Sequence, residues 1–176
     1  MPRGTKLRAV PLESPLRVVL VEPEIPPNTG SVARTCAATG SALHLVGKLG
    51  FRIDEQAVRR AGLDYWPLVD LHRHESLDEF ATEQPGARWH LLASGATRSI
   101  FDADIRPGDA LIFGKESVGL DPTLLDAHPD RVFGIPTMGP VRSLNLSNAV
   151  AITLYGALAK LGALDETFLA DDAVGS

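Results

Sequence analysis

Three segments rich in glycine, proline and small polar residues are the places in this chain where side chains could do chemistry. They lie at residues 22–35 (EPEIPPNTGSVART), 113–120 (FGKESVGL) and 135–149 (IPTMGPVRSLNLSNA). Each segment follows a short apolar run that is typical of a buried strand. Because parallel sheets bind ligands at the carboxyl ends of their strands, we expect each segment to lie where a ligand would be held.

The polar residues of these segments each have a structural explanation beside a functional one. Asn28 is of a type that caps helices, and Ser143 and Asn145 could cap the helix that follows them. Arg34 lies among small apolar residues of a helix, where a buried charge without a partner would be costly. Glu116 could be a solvated turn residue, but the glycines on either side of it indicate close approach of the backbone to a ligand.

Other kinds of site find little support in the sequence. No GxGxxG pattern follows the first apolar run and no Walker pattern is present, which argues against a phosphate-cradling nucleotide fold. The single cysteine and the five histidines show no metal-ligand spacing, so we expect no metal ion. No GxSxG pattern marks a hydrolase nucleophile, and His44 is typical of a strand residue rather than a catalytic base.

Composition and charge indicate a globular protein with only local basic character. The chain has 176 residues, 44% of them hydrophobic and 22% charged, which fits one domain. No apolar run reaches the roughly 18 residues of a membrane span. Taken alone, the net charge of −5 argues against a nucleic-acid-binding protein, because such proteins usually carry an excess of basic residues. However, Arg52, Arg59 and Arg60 form a basic cluster that could contact phosphates or could simply be a solvated helix face. The lone Cys36 suits a reducing cytoplasm.

Strands alternate with helices along the chain, which predicts an α/β fold with a mainly parallel sheet flanked by helices. We expect strands at residues 16–21, 42–46, 68–71, 89–93, 110–113 and 131–135, and helices at 31–39, 54–61, 77–81, 122–127 and 146–161. Pro23, Pro26 and Pro27 predict irregular structure before the first helix, and Gly40 predicts its end. Residues 1–15 are expected to be a flexible N-terminal tail, 16–162 the domain and 163–176 a C-terminal tail.

The last predicted helix is apolar on nearly all sides, from Val150 to Leu158. A helix of this kind must be covered on more than one side. It is therefore either packed deeply in the core or part of a subunit interface, and the sequence leaves both alternatives open.

The three segments, in this order, resemble the three motifs of the SPOUT class of RNA ribose 2′-O-methyltransferases, of the SpoU/TrmH type. The matching positions are Asn28 and Arg34 in the first, Gly114, Glu116 and Gly119 in the second, and Gly139, Pro140, Ser143, Leu144 and Asn145 in the third. The stretches EPEIPPNTG, ARTCAATG, LHLV, RRAGLDYW and RSLNLSNAVAI resemble the subfamily that methylates the wobble ribose of tRNA. The resemblance covers about residues 18–161.

The resemblance implies a fold and a chemistry that composition could not. It implies a C-terminal deep trefoil knot in the α/β domain, S-adenosylmethionine as the methyl donor, and no metal. It assigns catalysis to Arg34, Asn28, Glu116, Ser143 and Asn145. It assigns cofactor binding to Leu92, Gly114, Ile135, Ser143, Met138, Leu144 and Tyr155.

The resemblance also implies partners and leaves alternatives. It implies a cytoplasmic homodimer that acts on the anticodon stem-loop of tRNA, at nucleotide 34, and no membrane contact. The alternatives are a SPOUT enzyme that modifies another tRNA or rRNA ribose, a catalytically inactive RNA-binding protein of the same fold, and a small-molecule α/β enzyme. The sequence departs from the family pattern at two places. Its N-terminus is longer than that of the compact family form, and Gly95 stands where relatives often have lysine.

Overall fold

The central sheet and its helices are described for residues 4–53 and 65–171 of a computed structural model of the chain. Within these ranges the strands are β1 (Thr5–Ala9), β2 (Arg17–Val21), β3 (Ala42–Val46), β4 (Leu71–His74), β5 (Trp89–Leu92), β6 (Ala110–Phe113), β7 (Val132–Phe133) and β8 (Thr167–Asp171). The α-helices of the same ranges are α1 (Pro26–Thr39), α2 (Leu77–Glu83), α3 (Pro122–Ala127) and α4 (Leu146–Lys160).

Six strands pair in parallel in the order β4-β3-β2-β6-β5-β7, which confirms the predicted α/β class. From β2 the chain proceeds to β3 and β4 on one side, and β6 and β5 lie on the other side. The strand order therefore reverses between β2 and β6. In open parallel sheets such a reversal opens a crevice at the carboxyl edge, where ligands bind.

The two faces of the sheet are buried by alternate side chains of the same strands. In β2, Val18 and Leu20 point into the core that α1 and α4 cover, whereas Val19 points into the core around Phe80 of α2. This burial on both faces explains why the central strands are almost entirely apolar. The larger core fixes α1 and α4 on one face of the sheet.

Helix α1 begins earlier than the sequence predicts. Pro26 and Pro27 occupy its first turn, where a proline ring is compatible with helical geometry and no amide hydrogen is needed. The N-cap is Ile25, without a side-chain cap, so the interpretation of Asn28 as a cap is wrong. The helix ends as predicted, with Gly40 in the left-handed conformation at φ 65°.

Other element bounds differ by a few residues. The strand expected at 68–71 lies at Leu71–His74, and a short 3₁₀ turn spans Trp66–Leu68. The strand expected at 131–135 is reduced to Val132–Phe133, preceded by a 3₁₀ turn at Pro129–Arg131. The helix predicted at 54–61 lies outside the described residues.

Two short strands lie within the segments that the sequence assigns to the tails, at Thr5–Ala9 and Thr167–Asp171. Strands β1 and β8 pair in an antiparallel ribbon, in which Leu7 lies opposite Leu169. The domain division itself stays an expectation. None of the helices in the described ranges combines the length and apolar character needed to cross a bilayer.

Candidate active site

The loops that follow β2 and β6 hold each other at the point where the strand order reverses. The Glu116 carboxylate accepts hydrogen bonds from the backbone N–H groups of Glu24 (2.8 Å) and Ile25 (3.1 Å). In return, the Glu24 carboxylate accepts from the hydroxyl and the backbone N–H of Ser117, both at 3.0 Å. These bonds from Ser117 hold the pKa of Glu24 below its usual range. Reciprocal hydrogen bonds thus join the first two predicted segments to each other.

The third segment joins these two segments through two amide side chains. Asn28 donates from Nδ2 to Glu116 Oε1 (3.2 Å), and its Oδ1 accepts from Asn145 Nδ2 (3.0 Å). Asn145 Oδ1 in turn accepts from the backbone N–H groups of Ser147 (2.9 Å) and Asn148 (3.3 Å), which caps α4. A continuous chain of hydrogen bonds, Glu116–Asn28–Asn145, therefore links all three segments predicted to form the site.

The glycines of the second segment allow its backbone to fold tightly on itself. A Cβ atom at Gly114 would lie 2.1 Å from the carbonyl carbon of Gly119 and 2.2 Å from the nitrogen of Leu120. Gly119 adopts φ 75°, and its N–H donates to the Lys115 carbonyl at 2.8 Å. The GxExxG spacing is thus explained by a closed turn that presents Glu116 to the loop after β2.

Arg34 lies outside the hydrogen-bond chain. It is exposed on α1, not buried among apolar residues as the sequence suggests, because position 34 falls on a different face of the helix from the buried Asn28. Its guanidinium lies over the ring of Tyr65, 4.7 Å from the centroid. Its N–H donors therefore face a surface that a large substrate can reach.

The predicted cofactor residues gather in part at the carboxyl edge. Strands β6 and β7 both flank β5, with Leu92 opposite Phe113 on one side and Phe133 on the other. The backbone at Leu92, Gly114 and Ile135 therefore converges where these three strands end. Leu144 is half-buried and Ser143 is exposed. Two of the predicted positions are more open, since Met138 is 109% exposed and Tyr155 is 45% exposed.

The carboxyl edge of the sheet offers groups that suit an adenosyl group. The three strand ends offer backbone polar groups, and half-buried Leu92, Ile135 and Leu144 offer apolar surface. Such a combination of apolar walls and a few polar groups is usual for cofactor sites. The residues present therefore fit the cofactor that the resemblance implies.

An ion pair also connects the two linked loops. Lys115 forms an ion pair with Glu22 at 2.8 Å, which raises the pKa of Lys115. Glu22 itself adopts φ 48°, a left-handed conformation that costs a non-glycine residue about 1 kcal/mol.

Beside this loop lies a cavity of about 440 Å³, lined by Gly47, Leu49, Phe51, Arg52, Ile53 and Arg73.

Sequence reasoning missed the roles of Glu24, Ser117 and Tyr65. All three lie within stretches that matched the family, but their contacts depend on residues far along the chain, such as the 93 positions between Glu24 and Ser117. The sequence indicated these residues only in one way, since each is polar or aromatic and lies within a stretch that resembles the family. The structure brings together Asn28, Glu116 and Asn145, while Arg34 and Ser143 lie exposed near them on the same helix or loop.

The parallel sheet and its three linked loops have the arrangement expected of a SPOUT methyltransferase domain. Residues 15–155 match the model of the SpoU rRNA Methylase family. The chain therefore belongs to this family, which confirms the prediction from the three motifs. The trefoil knot stays a prediction based on the family.

Relatives and solved structures agree with this assignment. The chain is 46% identical over 143 residues to a tRNA (cytidine(34)-2'-O)-methyltransferase of Acidovorax sp. (strain JS42), covering 80% of this chain and 88% of the relative. A solved structure described as "Structural insights into the 2-OH methylation of C/U34 on tRNA" has a TM-score of 0.77 and 46% identity, covering 83% of this chain and 95% of that one. The SpoU methyltransferase AviRb from Streptomyces viridochromogenes, in complex with AdoMet, has a TM-score of 0.69 and 26% identity, over 85% of this chain and 62% of AviRb.

Proposed function

We propose that the chain transfers a methyl group from S-adenosylmethionine to the ribose 2′-oxygen of the wobble nucleotide, nucleotide 34, of tRNA. The observation that carries the proposal is the chain of hydrogen bonds Glu116–Asn28–Asn145, which links the three family motifs in one site. The 46% identity to a relative named for this reaction supports the choice of substrate.

The reaction needs alignment more than chemical activation of the donor. When bound, S-adenosylmethionine would supply an electrophilic methyl group, carried on a positively charged sulfur, to the ribose 2′-oxygen. Holding two reactants in line can contribute roughly 7–11 kcal/mol to lowering a barrier. The residues of this chain are therefore expected to act mainly by positioning.

Each site residue then has a distinct role. Glu116, Asn28 and Asn145 keep the three loops in register, so that donor and ribose are held at fixed positions. Backbone groups at Leu92, Gly114 and Ile135 hold the donor, with Ser143, Leu144, Met138 and Tyr155 around it. Arg34 binds a phosphate or the 2′-oxygen of the RNA through its exposed N–H groups, because a guanidinium keeps its proton at neutral pH.

We further propose that the protein acts as a cytoplasmic homodimer. Helix α4 buries Val150, Leu154 and Leu158 in the core but leaves Ile152 40% exposed. An apolar helix face left open to water is a natural site of subunit contact.

The proposal is tested by following the methyl group. Purified protein, labelled S-adenosylmethionine and unmodified tRNA should yield label on the ribose of nucleotide 34, located by nuclease digestion and mass spectrometry. Calorimetry should report binding of the donor at about micromolar Kd, roughly −8 kcal/mol. Label on a base nitrogen, or on rRNA alone, would contradict the assigned substrate.

The role of Arg34 is tested separately. Arg34→Ala should lose most activity and keep the affinity for the donor, because its side chain faces RNA. Arg34→Lys should keep part of the activity if residue 34 contacts the RNA only through its positive charge. It should keep little activity if the contact needs the two parallel N–H donors of a planar guanidinium. Arg106→Ala is the matched control, since Arg106 is exposed and precedes β6, at the opposite edge of the sheet. Equal loss in both alanine variants would contradict this placement of the site.

A further inference from the structure

The exposed side chain of Arg34 is held by one aromatic ring. Within the part of the chain that the structure describes, no hydrogen bond or ion pair engages its guanidinium, and its contact is with the face of Tyr65 at 4.7 Å. An exposed arginine side chain that is not held in place loses considerable rotamer entropy when it binds a ligand in one conformation. A ring that holds it in advance reduces that loss at the moment of binding.

Tyr65 is itself fixed to the helix that carries Arg34. Its hydroxyl donates a hydrogen bond of 2.7 Å to the carbonyl of Gly30, in α1. Gly30 and Arg34 are four residues apart, so they lie one above the other on the same side of the helix. The 3₁₀ turn at Trp66–Leu68 follows directly, with Leu68 N–H bonded to the Tyr65 carbonyl at 2.9 Å. The phenol thus bridges one turn of α1, from the carbonyl at position 30 to the guanidinium at position 34.

This arrangement leaves the donors of Arg34 available. A cation over a ring face is attracted by the electrons of the ring and uses no N–H group for that contact. A carboxylate partner would instead occupy two of the donors and oppose the approach of an RNA phosphate. An aromatic partner is therefore suited to a guanidinium that must be both positioned and free to bind an anion.

We propose that Tyr65 is a positioning residue for methyl transfer, which holds the Arg34 guanidinium in place through its ring while its hydroxyl anchors that ring to α1. This inference rests on the proposed function, because it assigns Arg34 to the RNA. It also gives a physical role to Tyr65, which belongs to the stretch RRAGLDYW.

Substitutions that separate ring from hydroxyl test the proposal. Tyr65→Leu should lower kcat roughly three- to tenfold, with an unchanged Kd for S-adenosylmethionine, because the cation–π contact is lost. Tyr65→Phe keeps the ring and should stay within about threefold of the parent. Phe168→Leu, an aromatic-to-leucine change on the exposed ribbon, is the matched control and should leave kcat unchanged.

A double-mutant cycle distinguishes positioning from a general structural effect. In the Arg34→Ala background, Tyr65→Leu should cause no further loss of kcat, because the proposed effect of Tyr65 on methyl transfer passes through Arg34. The same fractional loss in both backgrounds, or parental kcat in Tyr65→Leu, would overturn the proposal.

A measurement independent of activity separates this inference from the proposed function. The δ protons of Arg34 should show an upfield ring-current shift in the NMR spectrum of the parent and of Tyr65→Phe, and the shift should vanish in Tyr65→Leu. If tRNA is not methylated but the shift is present, the function fails and the contact stands. If the shift is absent in the parent, the positioning role fails whatever the activity.

Discussion

Asn28 links two loops of the site, whereas its place in the sequence suggests that it caps a helix. Its place before a predicted helix favoured a cap, yet it lies within the first turn of α1 and is only 8% exposed. A buried amide needs partners for both its donor and its acceptor. Glu116 and Asn145 supply them, so the residue connects two loops instead of ending a helix.

Gly114 gives the sharpest prediction at the residue scale. Gly114→Ala should lower the free energy of unfolding by about 3 kcal/mol, because the new methyl group would overlap the backbone of Gly119 and Leu120. Gly86→Ala is the control, since no atom lies within 4 Å of a Cβ at Gly86, and its effect should stay within about 0.5 kcal/mol. Urea denaturation of both variants measures the difference. Similar stability in the two would mean that the closed turn is not required.

At the scale of elements, the face formed by β3, β4 and α2 buries a histidine pair in an apolar setting. His44 Nδ1 lies 2.9 Å from His74 Nε2, the ring of Phe80 packs edge-on against both, and His72 stacks on His44. On the outer side, His74 Nδ1 lies 3.0 Å from Glu83 of α2. Burial, reinforced by His72, His74 and Arg17, lowers the pKa of His44 to about 3.

Stability should therefore fall as the pH falls from about 6.5 toward 3. In this interval the unfolded chain binds a proton at His44 and the folded chain does not, so protons favour unfolding, with a slope of up to about 1.4 kcal/mol per pH unit. His44→Gln should flatten the dependence between pH 4 and 6. Urea denaturation at several pH values is the measurement. An unchanged slope in His44→Gln would show that His44 does not stay neutral.

At the scale of the whole molecule, exposed apolar side chains lie on the outer side of α4 and on the terminal ribbon. Sedimentation at micromolar protein should report a dimer. Ile152→Glu should shift it to monomer, because a charge would be buried at the proposed contact. Leu7→Glu, on the ribbon at 69% exposure, is the comparison and should leave the dimer intact. If only Leu7→Glu breaks the dimer, the ribbon is the interface, and an active parental monomer would contradict dimerisation altogether.

The sequence by itself determined the α/β class, most of the strand and helix positions and the three segments that form the site. These features follow from local patterns: apolar runs at strand positions, and glycine at the end of α1 and within the GxExxG turn. The family assignment rests on the same local stretches and is confirmed by the match at residues 15–155.

Only the tertiary structure decided how these parts meet. The bond between Asn28 and Asn145 joins residues 117 positions apart, and the ribbon pairs Thr5 with Asp171. The exposure of Arg34 over Tyr65 likewise depends on where the 3₁₀ turn packs against α1. Local periodicity carries no information about such pairs, because they are fixed by which strands become neighbours and by which buried polar groups must find partners there.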